Sequence, residues 1–177
     1  MADNLRTMRP VIDIRRTVSI SAAHRLWDAT KSEEDNVALF AKCTRTHGHN
    51  YRITVQCRGP VDPSVGFYMN LTILADVMNR AIVKTLDHRN IDVDCEWFRE
   101  SGLPSTAENL AVYVWLQMTK EEPTLMAEFL HAVIVDETEK NSVTFYGDFS
   151  GTNSADRVPP LASSGTKRSS SAMAGST

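Results

Sequence analysis

His47-Gly48-His49-Asn50-Tyr51-Arg52-Ile53-Thr54-Val55-Gln56-Cys57-Arg58 runs into Gly59-Pro60. From Tyr51 onward, apolar residues (Tyr51, Ile53, Val55, Cys57) alternate with polar ones (Arg52, Thr54, Gln56, Arg58). That period of two is the signature of a half-buried strand, and Gly-Pro stops it. Upstream, Ile12, Ile14, Val18, Ile20 and Ala22 alternate in the same way. Their phase is imperfect around Arg15-Arg16, where a bulge or break is expected. Downstream the period changes. Asn70 is placed to cap a helix whose apolar stripe, Leu71, Leu74, Met78, Ala81 and Ile82, runs to about Thr85. Ser105-Thr106-Ala107-Glu108 fits a capping box for a second helix, to about Lys120, with Ala111, Trp115 and Met118 on one stripe. Residues 129–137 and 142–147 are β-rich, and the polar Glu139-Lys140-Asn141 between them suggests a hairpin. The order β-β-α-α-β-β gives an α+β domain, an antiparallel sheet with two helices on one face.

The chain of 177 residues suits one domain, and its 42% hydrophobic content supports a core. We place the domain at 10–149, after a short polar arm at 1–9. A Ser/Gly/Ala-rich tail follows at 150–177, too poor in apolar residues to order itself. A net charge of −3 without a basic patch argues against nucleic-acid and membrane-surface partners. Residues 1–9 lack the apolar segment of a secretory signal, and no apolar run approaches membrane-spanning length. Three cysteines (Cys43, Cys57, Cys95) at irregular spacing then read as free thiols in a reducing cytoplasm.

On a strand, positions i and i+2 share a face with Cα atoms roughly 7 Å apart, so His47 and His49 can converge on one metal ion. His24 ends the preceding strand, which is expected to pair antiparallel with this one and to bring a third imidazole from across the sheet. Three histidines without a carboxylate suit Zn²⁺ and leave a fourth position open. Cys43, four residues before His47, is a candidate base or nucleophile, since a nearby cation favours its thiolate. Cys57 and Cys95 read as small buried hydrophobes. Asp87-His88 either forms part of a relay or simply follows a helix C-terminus, where His88 and Arg89 complement the dipole. Adjacent side chains rarely pair well, so each is expected to serve a different partner. Glu137, on the predicted strand, either faces solvent or recognises a guanidine-like edge by paired hydrogen bonds. His131 reads as structural. Arg15-Arg16-Thr17-Val18-Ser19 resembles a basic-directed kinase site, a short match on a predicted strand.

Taken in order, six blocks resemble the 6-pyruvoyl-tetrahydropterin synthase family. They are Ser21-Ala22-Ala23-His24-Arg25-Leu26; Lys42-Cys43 with His47-Gly48-His49-Asn50-Tyr51; Gly66 to Thr72; Leu86-Asp87-His88-Arg89-Asn90; Thr106-Ala107-Glu108-Asn109-Leu110; and Glu137 to Asn141. They span about residues 11–147. The resemblance implies the T-fold, trimers closing a β-barrel, and a homohexamer of two stacked trimers with active sites between subunits. It also implies zinc on His24, His47 and His49, Cys43 as general base, and Asp87 and His88 as its relay partners. Glu137 is the implied pterin anchor, and Thr106 and Glu108 line the pocket.

The implied substrate is 7,8-dihydroneopterin triphosphate, converted to 6-pyruvoyl-tetrahydropterin with loss of triphosphate, a step in tetrahydrobiopterin biosynthesis. Oxidation of the side chain balances reduction of the ring. No nicotinamide or flavin is needed, in keeping with the missing Gly-rich dinucleotide motif. Arg25, Arg45, Lys42 and Arg89 are candidate triphosphate contacts. The stretch Cys43-Thr44-Arg45-Thr46-His47 is two residues shorter than in animal members. In that respect it is similar to bacterial 6-carboxytetrahydropterin synthases, which make a queuosine precursor from the same substrate. A non-catalytic pterin-binding oligomer is the third reading, and the joint presence of Cys43, Asp87, His88 and Glu137 speaks against it.

Overall fold

A computed structural model describes residues 7–150. Residues 151–177 of the expected tail, and residues 1–6 of the expected arm, lie outside the described residues.

The sheet has four antiparallel strands in the order β1-β2-β3-β4: β1 Val11–His24, β2 His47–Pro60, β3 Leu130–Asp136 and β4 Ser142–Phe145. The alternation of β2 is realised as read, with Tyr51, Ile53, Val55 and Cys57 all fully buried. Ile20 and Ala22 of β1 and Val133 and Val135 of β3 join them on the same inner face. The expected irregularity at Arg15-Arg16 is absent. β1 pairs with β2 without interruption from Val11↔Pro60 to His24↔His47. Arg16 keeps the phase of Ile14 and Val18, but on an edge strand whose first half faces solvent, where a charge needs no bulge. The irregularity lies instead between β2 and β3, where Gln56 faces Ala132 but Cys57 faces Leu130. His131 is the extra residue, and its ring packs beside Tyr146 at 5.8 Å, a structural role as expected.

Two main helices cover the inner face. α2 (Leu71–Met78) begins at Asn70, whose side chain accepts from the Thr72 amide at 2.8 Å. It continues through a π turn, Asn79–Val83, and a last turn, Lys84–Leu86. The expected run to Thr85 is therefore present, with one wide turn in it. α5 (Ala107–Glu121) starts one residue later than the capping box predicted. Thr106, not Ser105, is the N-cap, accepting from the Asn109 amide at 3.3 Å. Leu110, Ala111, Val114 and Met118 of α5 meet Leu74, Met78 and Ile82 of the α2 segment in one core. Trp115 is only partly buried, and its ring closes over Gly147, whose φ of 74° no side chain would favour.

Four shorter helices decorate this frame: α1 (Glu33–Phe40), α3 (Ile91–Asp94), α4 (Glu96–Ser101) and α6 (Pro123–Phe129). α1 had no apolar stripe to betray it. Its one buried residue is Asn36, whose amide donates to the Asp28, Lys31 and Ser32 carbonyls and ties down the loop after β1. Among the described residues no helix is long and apolar enough to cross a membrane.

Candidate metal centre and active-site cleft

The antiparallel register decides the site. His24 lies directly opposite His47, and His49 opposite Ala22, so the end of the β1–β2 ladder carries three imidazoles on the inner face. Their ring centroids stand 4.6, 5.1 and 5.0 Å apart. One nitrogen from each lies within 4.8 Å of the others, a group that could hold a metal ion.

Hydrogen bonding presets two of the rings. His24 Nδ1 faces the Ser105 carbonyl at 2.9 Å, and His47 Nδ1 faces the Arg45 carbonyl at 2.8 Å. A carbonyl only accepts, so both Nδ1 atoms carry a proton, and in the neutral ring the lone pair then sits on Nε2, the tautomer a metal requires. His24 Nε2 is buried without any hydrogen-bond partner. Burial, above all, holds the His24 imidazolium pKa below the ordinary histidine value, with the neighbouring His47 and His49 adding to the effect against the Ser105 carbonyl. A neutral, dry, unpartnered nitrogen aimed among two others is the donor set a cation fits.

A cleft of about 430 Å³ opens over the cluster, lined by His24, His47, His49, Cys43, Lys42, Leu26, Glu137, Thr138 and Asn141. Cys43 sits in the 3₁₀ turn Ala41–Thr44, and its carbonyl accepts from the Leu26 amide at 2.8 Å. The short connection to His47 thus still delivers the thiol to the cleft. Glu137 is the first residue past β3 rather than part of a strand. Its amide donates to the Asn141 carbonyl, and its Oε1 stands 3.9 Å from both His24 Nε2 and His49 Nε2. Cys57 is buried on the inner face, which pushes its thiol up to about 12, and Cys95 is 5% exposed, so both are the apolar residues expected.

Asp87 and His88 are not in this cleft. They dock on the outer edge of β1, where Asp87 Oδ1 accepts from the Ser21 amide at 2.9 Å and the His88 amide donates to the Ser21 carbonyl at 2.7 Å. The expectation that these neighbours would not pair with each other is corrected: His88 Nδ1 lies 3.0 Å from Asp87 Oδ2. A left-handed backbone at His88, φ 57°, folds the ring back onto the preceding carboxylate. The Ser21 amide first, and then His88, hold the Asp87 carboxyl below the usual range. The His88 ring itself is 83% exposed.

Thr106 caps α5, Glu108 is exposed on its first turn, and neither lines the cleft of its own chain. Of the basic candidates Lys42 is the one in the cleft. The Arg25 guanidinium lies over the Trp27 ring at 4.7 Å, and Arg45 and Arg89 are exposed. Sequence reading missed Ser105, Leu26, Thr138 and Asn141. The carbonyl that orients His24 is 81 residues away along the chain, and no local pattern signals such a contact.

The sequence profile of the family 6-pyruvoyl tetrahydropterin synthase matches residues 13–148. The Homo sapiens 6-pyruvoyl tetrahydrobiopterin synthase is 41% identical over 137 residues, 76% of this chain and 91% of that protein. The Drosophila melanogaster protein of the same name is 37% identical over 147 residues, 81% of this chain and 84% of its own. The solved structure of Caenorhabditis elegans 6-pyruvoyl tetrahydropterin synthase superposes with a TM-score of 0.73 at 36% identity, covering 80% of this chain and 99% of that one. Sequence, T-fold and histidine-lined cleft agree, and the chain belongs to the 6-pyruvoyl tetrahydropterin synthase family.

Proposed function

We propose that this chain is an active 6-pyruvoyl tetrahydropterin synthase, which takes 7,8-dihydroneopterin triphosphate to 6-pyruvoyl-tetrahydropterin and triphosphate with zinc held by His24, His47 and His49. The observation that carries the reading is the meeting of the histidine cluster, Cys43 and Glu137 in one cleft. The names and identities of the relatives support it. Three imidazoles, two of them with preset tautomers, favour Zn²⁺ over harder, oxygen-seeking cations.

Bound there, zinc would polarise the side-chain oxygens of the substrate and acidify the adjoining C–H bonds. Cys43, as thiolate, takes protons from side-chain carbons and returns them to other carbons of the substrate, a ring carbon among them. The hydride equivalent lost by the side chain is retained by the pterin ring as protons shift, so the reaction closes without an external oxidant or reductant. Glu137 offers two carboxylate oxygens to the N–H edge of the pterin. Lys42, at the cleft wall, is the candidate triphosphate contact that the cleft lining supports.

Asp87 and His88 stand on the outer edge of β1, with the His88 ring exposed. We read them as relay partners for the Cys43 of another copy, which calls for the homohexamer of two trimers. Thr106 and Glu108, beside Ser105 at the start of α5, extend the pocket wall in the same assembly. The domain is 10–149, and free thiols fit a cytoplasmic enzyme.

The test is anaerobic incubation of zinc-loaded protein with 7,8-dihydroneopterin triphosphate and mass spectrometry of the products. A pterin retaining all three side-chain carbons, with free triphosphate, is expected. A 6-carboxy pterin with released acetaldehyde would replace this reading with the carboxy-forming reaction, for which the short Cys43–His47 connection is the sequence feature. Recovery of unchanged substrate would favour the non-catalytic reading.

A further inference from the structure

Cys43 belongs to the 3₁₀ turn Ala41–Thr44, and a backbone bond from the Leu26 amide to the Cys43 carbonyl, 2.8 Å, ties that turn to the chain leaving β1. Within the turn, Thr44 Oγ1 donates to the Ala41 carbonyl and the Arg45 amide to the Lys42 carbonyl. Those two bonds fix its shape rather than its place. The direction of the Leu26 amide therefore helps to set where the thiol stands in the cleft.

Leu26 lies beyond the ladder, which ends at the pair His24↔His47, so no strand partner orients its amide. Its neighbour does. The Arg25 carbonyl and the Leu26 amide share one planar peptide group, and fixing Arg25 aims the Leu26 N–H. Arg25 is held on both sides. Its carbonyl accepts from Ser105 Oγ at 3.3 Å, and its amide donates to Asp92 Oδ2 at 2.7 Å. The second bond is the shorter, and a carboxylate oxygen is the stronger class of acceptor for an amide.

Asp92 is itself braced. Its amide donates to the Asn90 side chain at 3.0 Å, the Asn90 amide donates to Asp94 Oδ2 at 2.8 Å, and the adjoining Ile91 is fully buried. The Ala23 amide donates to the Arg89 carbonyl at 2.9 Å, so this segment is docked along the end of β1. Asp92 is half-buried and does not line the cleft. His24 has holds of its own, the Ser105 carbonyl and the ladder to His47.

We propose that Asp92 is a positioning residue for the thiol: by holding the Arg25 amide it aims the Leu26 amide, and through that bond sets the place of Cys43 in the cleft. The inference rests on Cys43 as the base. It adds that the base is placed from α3, through a bond between residues 67 apart along the chain.

Two substitutions separate position from charge. Asp92→Asn keeps an acceptor oxygen in place and removes the charge. Asp92→Glu keeps the charge and moves it by one methylene. In the zinc-loaded protein, with 7,8-dihydroneopterin triphosphate and triphosphate release as the readout, kcat of Asp92→Asn is expected within about threefold of the parent. For Asp92→Glu, kcat should fall about tenfold or more, the scale on which catalysis answers to a misplaced group. KM should stay within about twofold and zinc should remain stoichiometric. Hydrogen exchange of the peptide 41–47 should quicken in Asp92→Glu and not in Asp92→Asn. Impairment of Asp92→Asn overturns the proposal, since the charge and not the held amide then matters. Parental kcat in Asp92→Glu overturns it as well, and so does a loss of zinc or a raised KM in place of a lowered kcat. Undiminished turnover in Cys43→Ala overturns the base itself, and with it this inference, and that variant reports it independently of Asp92.

Discussion

The sharpest test of the metal centre is to delete two of its ligands separately in the absence of metal. His24 is 1% exposed and bonded through Nδ1 to the Ser105 carbonyl, while His47 is half-buried and bonded to the Arg45 carbonyl at the mouth of the cleft. His24→Ala opens an aromatic-sized hole and orphans a buried carbonyl, partly offset because the unpartnered Nε2 disappears. From these opposing effects we expect a loss of about 3 kcal/mol. His47→Ala leaves its carbonyl partner within reach of water and should cost about 1 kcal/mol or less. Urea unfolding with a chelator present measures both. Elemental analysis without the chelator should find zinc lost from both, because three imidazoles cannot be reduced to two and still close the site. Equal destabilisation by the two substitutions would refute the assignment of His24 as the buried, preset ligand. Retention of stoichiometric zinc by either would refute the ligand set.

Cys43→Ala should retain zinc and substrate binding while turnover disappears, measured by triphosphate release; undiminished release removes the thiol from the chemistry. The metal-free protein should lose stability as pH falls below about 6.5, because burial lowers the folded-state pKa of His24, so the unfolded chain binds the proton more readily. Midpoints in urea between pH 5 and 8 report this, and a flatter acid limb in His24→Ala identifies the residue; an identical slope in that variant would exclude it as the source. Gly147→Ala should cost about 3 kcal/mol with zinc binding intact, since a Cβ there overlaps the Trp115 ring and φ is 74°; a variant as stable as the parent would show that the β4 end repacks freely.

The alternation in β1 and β2, the apolar stripes of α2 and α5 and the polar Glu139–Asn141 hairpin were legible because each is a local period that burial on one face enforces. His47 and His49 were legible as a pair for the same reason: i and i+2 on a strand share a face whatever the strand pairs with. Placing His24 opposite them needed only the antiparallel register, which the two apolar faces fix. Other features followed no such rule. Arg16 broke the apolar phase of β1 without a bulge, because whether a phase break distorts a strand depends on what covers it. Ser105 yielded the cap of α5 to Thr106 and turned to Arg25 and His24, a choice made by partners 80 and 81 residues away.

The sequence by itself determined the four strands, the two main helices and the three imidazoles that converge where a cation could be held, since periodicity and register are short-range constraints. Tertiary structure alone decided which tautomer those histidines hold, that Glu137 faces them from beyond the end of β3, and that Asp87 and His88 pair with each other on the far edge of β1. It also decided that the Tyr51 hydroxyl is buried without a partner. Each of these depends on where distant backbone carbonyls, amides and carboxylates come to rest once the helices close over the sheet, and no spacing along the chain encodes that.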